Sequence, residues 1–465
     1  MLEFWAMNKL LNNSKEIYFY LLLVLSIGIG LQIVVYKIAI ILLLLQWFLS
    51  ADYKQKFIKL KQNNFAVGLI GLYFLYAISL IWSDNIPLAL TDLLLKSPMA
   101  IITLVVLSQD NISVKKNNHL LLAFALSILV LNTYCLIDAY FSFIETQEIN
   151  HFFYGSLTIN MHTSNQAMFT CFSIVFFVYL FIKEKFISSW VTYSAVAIQM
   201  IFVLLLSSRM QILIMIVIVP VYFIFYYYRK KKVGLGLIYT TLIFGFAYLI
   251  ITFPSSLNSR YNQTVSHINS IGVDNDNSDP RKFIWAQGLE VIKNHWLIGT
   301  GVGDAKDALV DRYSKCILDN PTTENLVDST VSQLKQNKKA VAYLKQKATN
   351  SNTTYEEQLS DHAKYILVRK NDEYKAAFER KYNFHNQYLQ TFGTIGIFGF
   401  LFWCFLFAYP LILSIKNKDY LAISFLFITG ASFLTESMLE RQAGVAFFSF
   451  FYVLLIGRIS QNKPS

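Results

Sequence analysis

The sequence predicts an all-α polytopic membrane protein with about 12 transmembrane helices and one large, mainly helical domain on the outer side. Composition is the first reason: 55% of the 465 residues are hydrophobic and only 15% are charged. A soluble domain has about 25% charged residues. The second reason is that the apolar residues form long, almost uncharged runs of about twenty residues, the length that crosses a bilayer.

The apolar runs give the candidate spans. They are 17–35, 38–51, 65–82, 93–108, 119–142, 166–182, 188–206, 210–228, 233–253, 388–414, 420–436 and 443–457. The segment before the first span is short and polar and has no cleavable-signal pattern, so we interpret that span as a signal anchor.

Basic residues predict the orientation, because cytoplasmic loops are enriched in lysine and arginine. Every even-numbered span is followed by basic residues. These are Lys54, Lys56, Lys59 and Lys61, then Lys115 and Lys116, Lys183 and Lys185, the 229–232 run, Lys416 and Lys418, and finally Arg458 and Lys463. Both termini are therefore expected in the cytoplasm.

The long polar stretch between the ninth and tenth spans is then expected outside. The predicted organisation is an N-terminal membrane region (1–253), an outer loop domain (254–384) and a C-terminal membrane region (385–465). The outer stretch holds 18 of the 40 basic residues, and 16 acidic residues nearly balance them. Such a balance argues against a nucleic-acid partner. The net charge of +11 mostly reflects topology.

Within the outer domain, Pro280 is expected at the first position of a helix capped by Asp279 and ending near Asn294. A solvated helix is expected from Thr354 to Tyr382, and the 320–352 portion is polar enough to be partly mobile. Two apparent motifs are interpreted as turns. Gly299-Thr300-Gly301-Val302-Gly303 follows a helix rather than a strand, and Asp274-Asn275-Asp276 lies in a turn-rich linker.

No metal or cofactor is expected. The four cysteines, Cys135, Cys171, Cys316 and Cys404, form no close-spaced pair, and no histidine or cysteine cluster has metal-ligand spacing.

Two arginines are candidate phosphate ligands. Arg209 lies between two apolar runs at the outer face, where a guanidinium needs an anionic partner or extends to the lipid headgroups. Arg281 begins the first outer helix, with Trp285 one turn later. Either arginine can bind a diphosphate. The alternatives are a headgroup contact for Arg209 and a solvated first-turn residue for Arg281.

Further polar residues lie where the outer segments meet the membrane. His385-Asn386 precedes the tenth span, and an imidazole can take a proton from an attacking hydroxyl. An interfacial structural histidine is the alternative. Glu436, Glu440 and Arg441 form an outer turn that binds sugar hydroxyls, orients a catalytic group or pairs internally. Lys96 either contacts phosphate or extends toward the headgroups.

Several of these segments, in this order, resemble the O-antigen ligase and polymerase superfamily. They are Trp82-Ser83-Asp84, Ser208-Arg209, the segment from Arg281 through Trp285 to the 299–303 glycines, and His385-Asn386-Gln387-Tyr388-Leu389 with Gly393 and Gly396. The resemblance is strongest from about 200 to 415, and the polar insertion between about 310 and 380 departs from it.

The resemblance implies a GT-C-like glycosyltransferase of the bacterial inner membrane, with its large loop in the periplasm. Members move a glycan from an undecaprenyl-diphosphate carrier to an acceptor such as lipid A-core, without a metal. It implies that Arg209, Arg281 and His385 are catalytic. Substrate contacts are assigned to Arg209, Arg281, Trp285, Asn386, Glu436 and Arg441.

Three other functions fit the same sequence. A polysaccharide polymerase and a protein O-oligosaccharyltransferase use the same donor. A lipid-linked glycan flippase would place its conspicuous charges near mid-membrane, whereas here they cluster at the outer face.

Overall fold

The computed structural model describes residues 2–50, 52–62, 67–110, 112–159, 161–182, 187–229, 241, 245, 280–319, 324–351 and 353–459. Regular structure within these ranges is helical, with no β-strand. The chain divides into two compact units. The first, which we call the membrane unit, comprises Met1–Ile78, Leu90–Leu257 and Leu401–Ser465. The second comprises Ser79–Ala89 and Asn258–Phe400, and we call it the outer unit after the location that the sequence predicts for it.

The described part of the membrane unit is built from helices, all of them apolar except α3, which carries four lysines. They are α1 (Leu2–Leu31), α2 (Val35–Leu49), α3 (Tyr53–Gln62), α4 (Gly68–Ile78), α5 (Ile86–Ser108), α6 (Val114–Thr146), α7 (Thr163–Ile182), α8 (Ser189–Leu205), α9 (Arg209–Arg229), α15 (Gln387–Lys416), α16 (Tyr420–Phe433) and α17 (Gln442–Ile459). The first residues of α5 and α15 belong to the outer unit.

Five of the described helices are long and apolar enough to cross a membrane, and the bent pair α2–α3 raises the number to six. Five shorter apolar helices accompany them. The chain is therefore a polytopic helical membrane protein, whereas about twelve spans stays a prediction. The span predicted at 233–253 lies outside the described residues.

Phenylalanine rings fill the centre of the membrane unit. Phe124 lies 4.7 Å from Phe451, and Phe169 lies 4.1 Å from Phe447, between ring centroids. Amide side chains join the helices around this core, as in the 2.6 Å hydrogen bond from Gln211 on α9 to Ser432 on α16. In lipid, the hydrophobic effect does not drive helices to associate, because the lipid tails are as apolar as the side chains. Close van der Waals packing and hydrogen bonds between helices hold them together instead.

The outer unit has two cores. Its helices are α10 (Pro280–Asn294), α11 (Ala305–Asp319), α12 (Glu324–Gln336), α13 (Lys338–Ser351), α14 (Tyr355–Glu379) and the start of α15, with a short 3-10 helix at Ser79–Trp82. One core joins α10, α11 and the end of α14 around Phe384. The second joins α12, α13 and the start of α14 around Leu344 and Leu359.

The predicted helix from Pro280 to Asn294 is confirmed, and its predicted N-cap, Asp279, lies outside the described residues. The helix predicted from Thr354 to Tyr382 is present as Tyr355–Glu379, with Thr354 as its N-cap. The span predicted at 93–108 is longer, because α5 begins at Ile86. The 320–352 portion holds two helices in its described residues, since the buried side chains of Leu334, Ala340 and Leu344 give it a core.

Candidate functional site

The glycine-rich turn after α10 joins a break in α15. The backbone N–H groups of Thr300 and Gly301 donate to the carbonyls of Gly393 and Thr394 at 2.8 Å and 3.0 Å. Gly396 adopts φ +67°, outside the helical region, and a Cβ there would lie 2.3 Å from the carbonyl oxygen of Leu297. Only glycine fits so close an approach at a positive φ. The interpretation of this segment as a turn is therefore confirmed, and its role is structural. We call its contact with α15 the clasp.

The early outer loop is held by an acidic side chain that the sequence analysis did not single out. The carboxylate of Asp304 accepts hydrogen bonds from the backbone N–H groups of Asp84 and Asn85 at 2.8 Å and 2.9 Å. The N–H of Gly303 donates to Ser83 Oγ at 3.2 Å. Because α5 begins at Ile86, the carboxylate lies where the helix dipole favours negative charge. The Trp82-Ser83-Asp84 segment thus has a structural role.

His385 lies between α14 and α15 in a left-handed backbone conformation, with φ +44°. Its N–H donates to Asn383 Oδ1 at 3.0 Å, and its half-buried ring meets Tyr382 edge to face at 5.4 Å. Few residues other than glycine adopt this conformation, and it is enriched at functional sites. The local turn fixes the direction in which the imidazole leaves the backbone.

Asn386 is the N-cap of α15. Its Oδ1 accepts hydrogen bonds from the N–H groups of Tyr388 and Leu389 at 2.9 Å and 3.1 Å. Asparagine is a favoured residue at this position because its side chain satisfies N–H groups that the helix cannot. The His-Asn pair therefore combines a strained histidine with a cap that fixes the start of the following helix.

Arg281 and Trp285 lie on α10, in the same unit as His385. The buried face of α10 is formed by Ile284, Val291 and Ile292, and Trp285 is half-buried beside it. Trp285 Nε1 is buried, and the described residues offer it no hydrogen-bond acceptor. An indole N–H in that state suits an acceptor oxygen brought by a ligand.

Phe384 connects α10 with the His385 segment. It is 0% exposed, and Cβ atoms added at Gly288 and Gly393 would lie 2.7 Å and 2.8 Å from its ring. The two glycines therefore let α10 and α15 close around the residue next to His385. No sequence pattern indicated the Phe384 contact, because the contact depends on how the helices pair.

Arg312 on α11 is a second cation beside α10 that the sequence analysis missed. Its Nη2 donates to Gln287 Oε1 at 3.3 Å. Its Nε is buried, and no described residue accepts a hydrogen bond from it. The only sequence signal was a single arginine within a mixed-charge helix.

Arg209, Glu436 and Arg441 belong to the membrane unit. Arg209 is exposed at the first position of α9, after Ser207 with φ +52°. Arg441 is also exposed, and Glu436 Oε1 accepts a hydrogen bond from Ser164 Oγ at 3.3 Å. The structure therefore groups Arg281, Trp285, His385 and Asn386 in one unit and these three residues in the other.

The most deeply buried ionic cluster among the described residues of the membrane unit surrounds Lys96. Its side chain is 1% exposed, and Nζ lies 3.0 Å from Glu440 and 3.4 Å from Asp92. The Tyr76 ring centroid is 5.2 Å from the same nitrogen. The expectation that Lys96 extends toward the headgroups is wrong, because two carboxylates hold its ammonium inside the protein. The outer turn thus pairs with α5 through Glu440.

Residues 194–330 match the family profile described as O-antigen ligase. The matched segment includes Arg209 and Arg281. A comparison with curated proteins gives no significant match. The family match confirms the resemblance to the O-antigen ligase and polymerase superfamily over residues 194–330 and supports a ligase- or polymerase-type function in general. The Trp82-Ser83-Asp84 and His385-Asn386 segments lie outside the matched residues. Within the described residues, no group of three or more histidine, cysteine and acidic side chains is arranged for a metal ion.

Proposed function

We propose that the chain is a membrane glycosyltransferase that moves a glycan from undecaprenyl diphosphate to lipid A-core, because residues 194–330 match the O-antigen ligase profile. We place it in the bacterial inner membrane, with both termini in the cytoplasm and the large loop in the periplasm. The single observation that carries the proposal is the domain match, because Arg209 and Arg281 both lie within it.

The proposed reaction is one direct displacement. The acceptor hydroxyl oxygen attacks the anomeric carbon while the bond from that carbon to the diphosphate oxygen breaks. The electron pair of the broken bond stays on the diphosphate, and the hydroxyl proton passes to the imidazole of His385. Displacement from the opposite face inverts the anomeric centre, and no metal is required.

Arg209 and Arg281 are assigned to the leaving diphosphate. Negative charge grows on its phosphates as the bond breaks, and a guanidinium fixed beforehand stabilises that charge more than mobile water does. A guanidinium group can also donate two parallel hydrogen bonds to two phosphate oxygens. The position of Arg209 at the start of α9 and of Arg281 in the first turn of α10 supports this assignment.

Three further residues are assigned to substrate. The buried N–H of Trp285 supports a hydrogen bond to the donor. Glu436 and Arg441 offer an acceptor and a donor for sugar hydroxyls at the outer turn. Asn386 is assigned a supporting role, because its side chain caps the helix that follows His385.

The experiment is a lipopolysaccharide gel from a strain that lacks the gene, with the lipid-linked glycans extracted in parallel. Loss of long-chain bands together with long polymer on the polyprenyl carrier identifies a ligase. Core capped by one repeat, with no long polymer anywhere, identifies a polymerase instead. Unchanged lipopolysaccharide with loss of glycan from a periplasmic protein identifies a protein oligosaccharyltransferase. Unchanged glycans in every fraction would overturn the proposal.

A further inference from the structure

The insertion that departs from the family pattern presents an aromatic and basic surface. Helices α13 and α14 pack through Ala340, Leu344 and Leu359, which are 0% exposed. The opposite side of the pair faces outward. We call this side the α13–α14 surface and define it by Lys339, Tyr343, Lys347, His362 and Tyr365.

Two tyrosine rings dominate the α13–α14 surface. Tyr343 is 46% exposed and Tyr365 is 55% exposed, which is high for side chains of this size. The ring of His362, only 8% exposed, lies 6.2 Å from each of them. A packed neighbour limits the rotamers that each tyrosine can adopt, so less entropy is lost when a ligand binds.

Exposed tyrosine rings suit a sugar. A pyranose has an apolar face of C–H groups and an edge of hydroxyls, and tyrosine offers an apolar face and a polar hydroxyl. Two such rings on adjacent helices can contact more than one sugar unit of a chain.

The positive charge of α13 favours a glycan that carries negative charge. Helix α13 carries four lysines, Lys338, Lys339, Lys345 and Lys347, and no acidic residue. Lys339 and Lys347 are four residues before and after Tyr343, so the three side chains share one exposed face. On α14, Asp361 lies one turn before Tyr365, and Glu356 pairs with Lys335 of α12 at 3.2 Å. The surface is therefore basic around its first ring.

We propose that the α13–α14 surface binds the acidic glycan chain of the lipid-linked donor, with sugar rings on Tyr343 and Tyr365 and anionic groups on Lys339 and Lys347. The inference rests on the proposed function, because that function supplies a glycan on the outer side. Binding far along the chain raises the local concentration of long donors without touching the reacting carbon. Such binding lowers KM for long donors and leaves their kcat unchanged. It does not alter KM or kcat for short donors.

The test uses the purified full-length protein in lipid nanodiscs with acidic donors of one repeat and of many repeats. For the double variant Tyr343→Ala/Tyr365→Ala we expect a rise of about tenfold in KM for the long donor only. Tyr343→Phe/Tyr365→Phe keeps both ring faces and should behave like the wild type. Phe378→Ala, an exposed aromatic elsewhere on α14, is the matched control.

A second measurement uses the glycan alone. A fluorescent acidic polysaccharide released from its carrier should bind the wild type more tightly than the tyrosine double variant, and Lys339→Gln/Lys347→Gln should weaken the salt dependence of binding. Equal binding by wild type and variants, or no binding by either, overturns the proposal whether or not transfer occurs. An equal loss with short and long donors would also overturn it. A change in oligomeric state would instead assign the surface to a second copy. Binding without any transfer keeps the surface and rejects the proposed function.

Discussion

His385 combines a strained backbone conformation with a side chain that we propose takes the proton of the acceptor hydroxyl. Its left-handed conformation, at φ +44°, costs about 1 kcal/mol for a residue with a Cβ. The capped helix after it and the buried Phe384 before it hold that conformation in place. Glycine would fit this backbone with less strain, so a histidine here is consistent with the proposed use of its imidazole.

This contrast gives a matched set of variants. His385→Asn should fold, because asparagine tolerates the left-handed region, and should lower kcat about 100-fold or more by removing the proton acceptor. His385→Gly should be equally inactive and at least as stable as the wild type. Initial rates of transfer and thermal unfolding of the purified protein check both expectations. Wild-type rates in a well-folded His385→Asn protein would remove the histidine from the mechanism.

The Lys96 cluster yields a stability prediction. Lys96→Met should destabilise the protein by about 3 kcal/mol, because the carboxylate of Glu440 then stays mostly buried without its cation. Lys96→Met/Glu440→Gln should recover part of the loss by removing the unpaired charge. Thermal unfolding in detergent measures both variants. A double variant no more stable than Lys96→Met would contradict the pairing.

Sequence reasoning at the residue scale proposed which residues carry the chemistry and missed several residues that hold the structure around them. Arginine at the membrane face and histidine at the re-entry point stand out because such residues are costly or reactive there. Asp304, Phe384 and Arg312 do not stand out, since each acts through a residue far along the chain. The same limit explains Lys96, whose burial depends on Glu440, 344 positions later.

At the scale of elements, α15 is broken where the glycine turn meets it. Gly396→Ala should unfold or strongly destabilise the outer unit, because the new Cβ would lie 2.3 Å from the Leu297 carbonyl at a positive φ. Gly155→Ala is the matched control, since no atom lies within 4 Å of a Cβ at that position. Membrane abundance and thermal unfolding compare the two. Equal stability of both variants would refute the close approach.

The capping box of α14 gives a pH-dependent prediction. The N–H of Thr354 donates to the Glu357 carboxylate at 3.0 Å, and this hydrogen bond holds the pKa of Glu357 below its ordinary value. A depressed pKa stabilises the fold above the unfolded-state pKa of about 4.3, and this stabilisation is lost as the pH falls through the folded-state pKa.

Hydrogen exchange of the first turns of α14 measures this effect. Wild type should be better protected than Glu357→Gln at pH 7, and the two should converge as the pH falls through the folded-state pKa of Glu357. Glu379→Gln, at the other end of α14, should not change protection of the first turns. A difference that persists at acid pH would assign the effect to something other than the carboxylate.

At the scale of the whole molecule, orientation is the most direct prediction. In a Cys316→Ser background, a membrane-impermeant maleimide should label Gln346→Cys from outside intact cells made permeable only at the outer membrane. Lys115→Cys should be labelled only after the inner membrane is opened. The reverse pattern would invert the proposed topology.

Composition and charge predicted the class of molecule well, because the bilayer restricts a spanning chain to a few solutions. The limits of the spans were less predictable. Helix α5 begins at Ile86 rather than 93, since Asp92 interrupts the apolar run in sequence although its carboxylate pairs with Lys96 in the fold. The core of α12 and α13 was missed because its few apolar residues are spread along polar helices.

The clasp between the glycine turn and α15 also sets how freely this kind of chain can vary in length. It joins backbone positions 93 residues apart, so everything between them is a loop whose ends are already held. Doubling a flexible loop costs only about 0.6 kcal/mol in closure entropy. Helices α12 and α13 share a core with the first half of α14, and that core lies wholly inside this loop. A change of length between α12 and α13 is therefore expected to leave the clasp in place and to cost little stability. His385 lies inside the same loop, just before the clasp, where Phe384 and Asn386 hold its position through contacts outside that core.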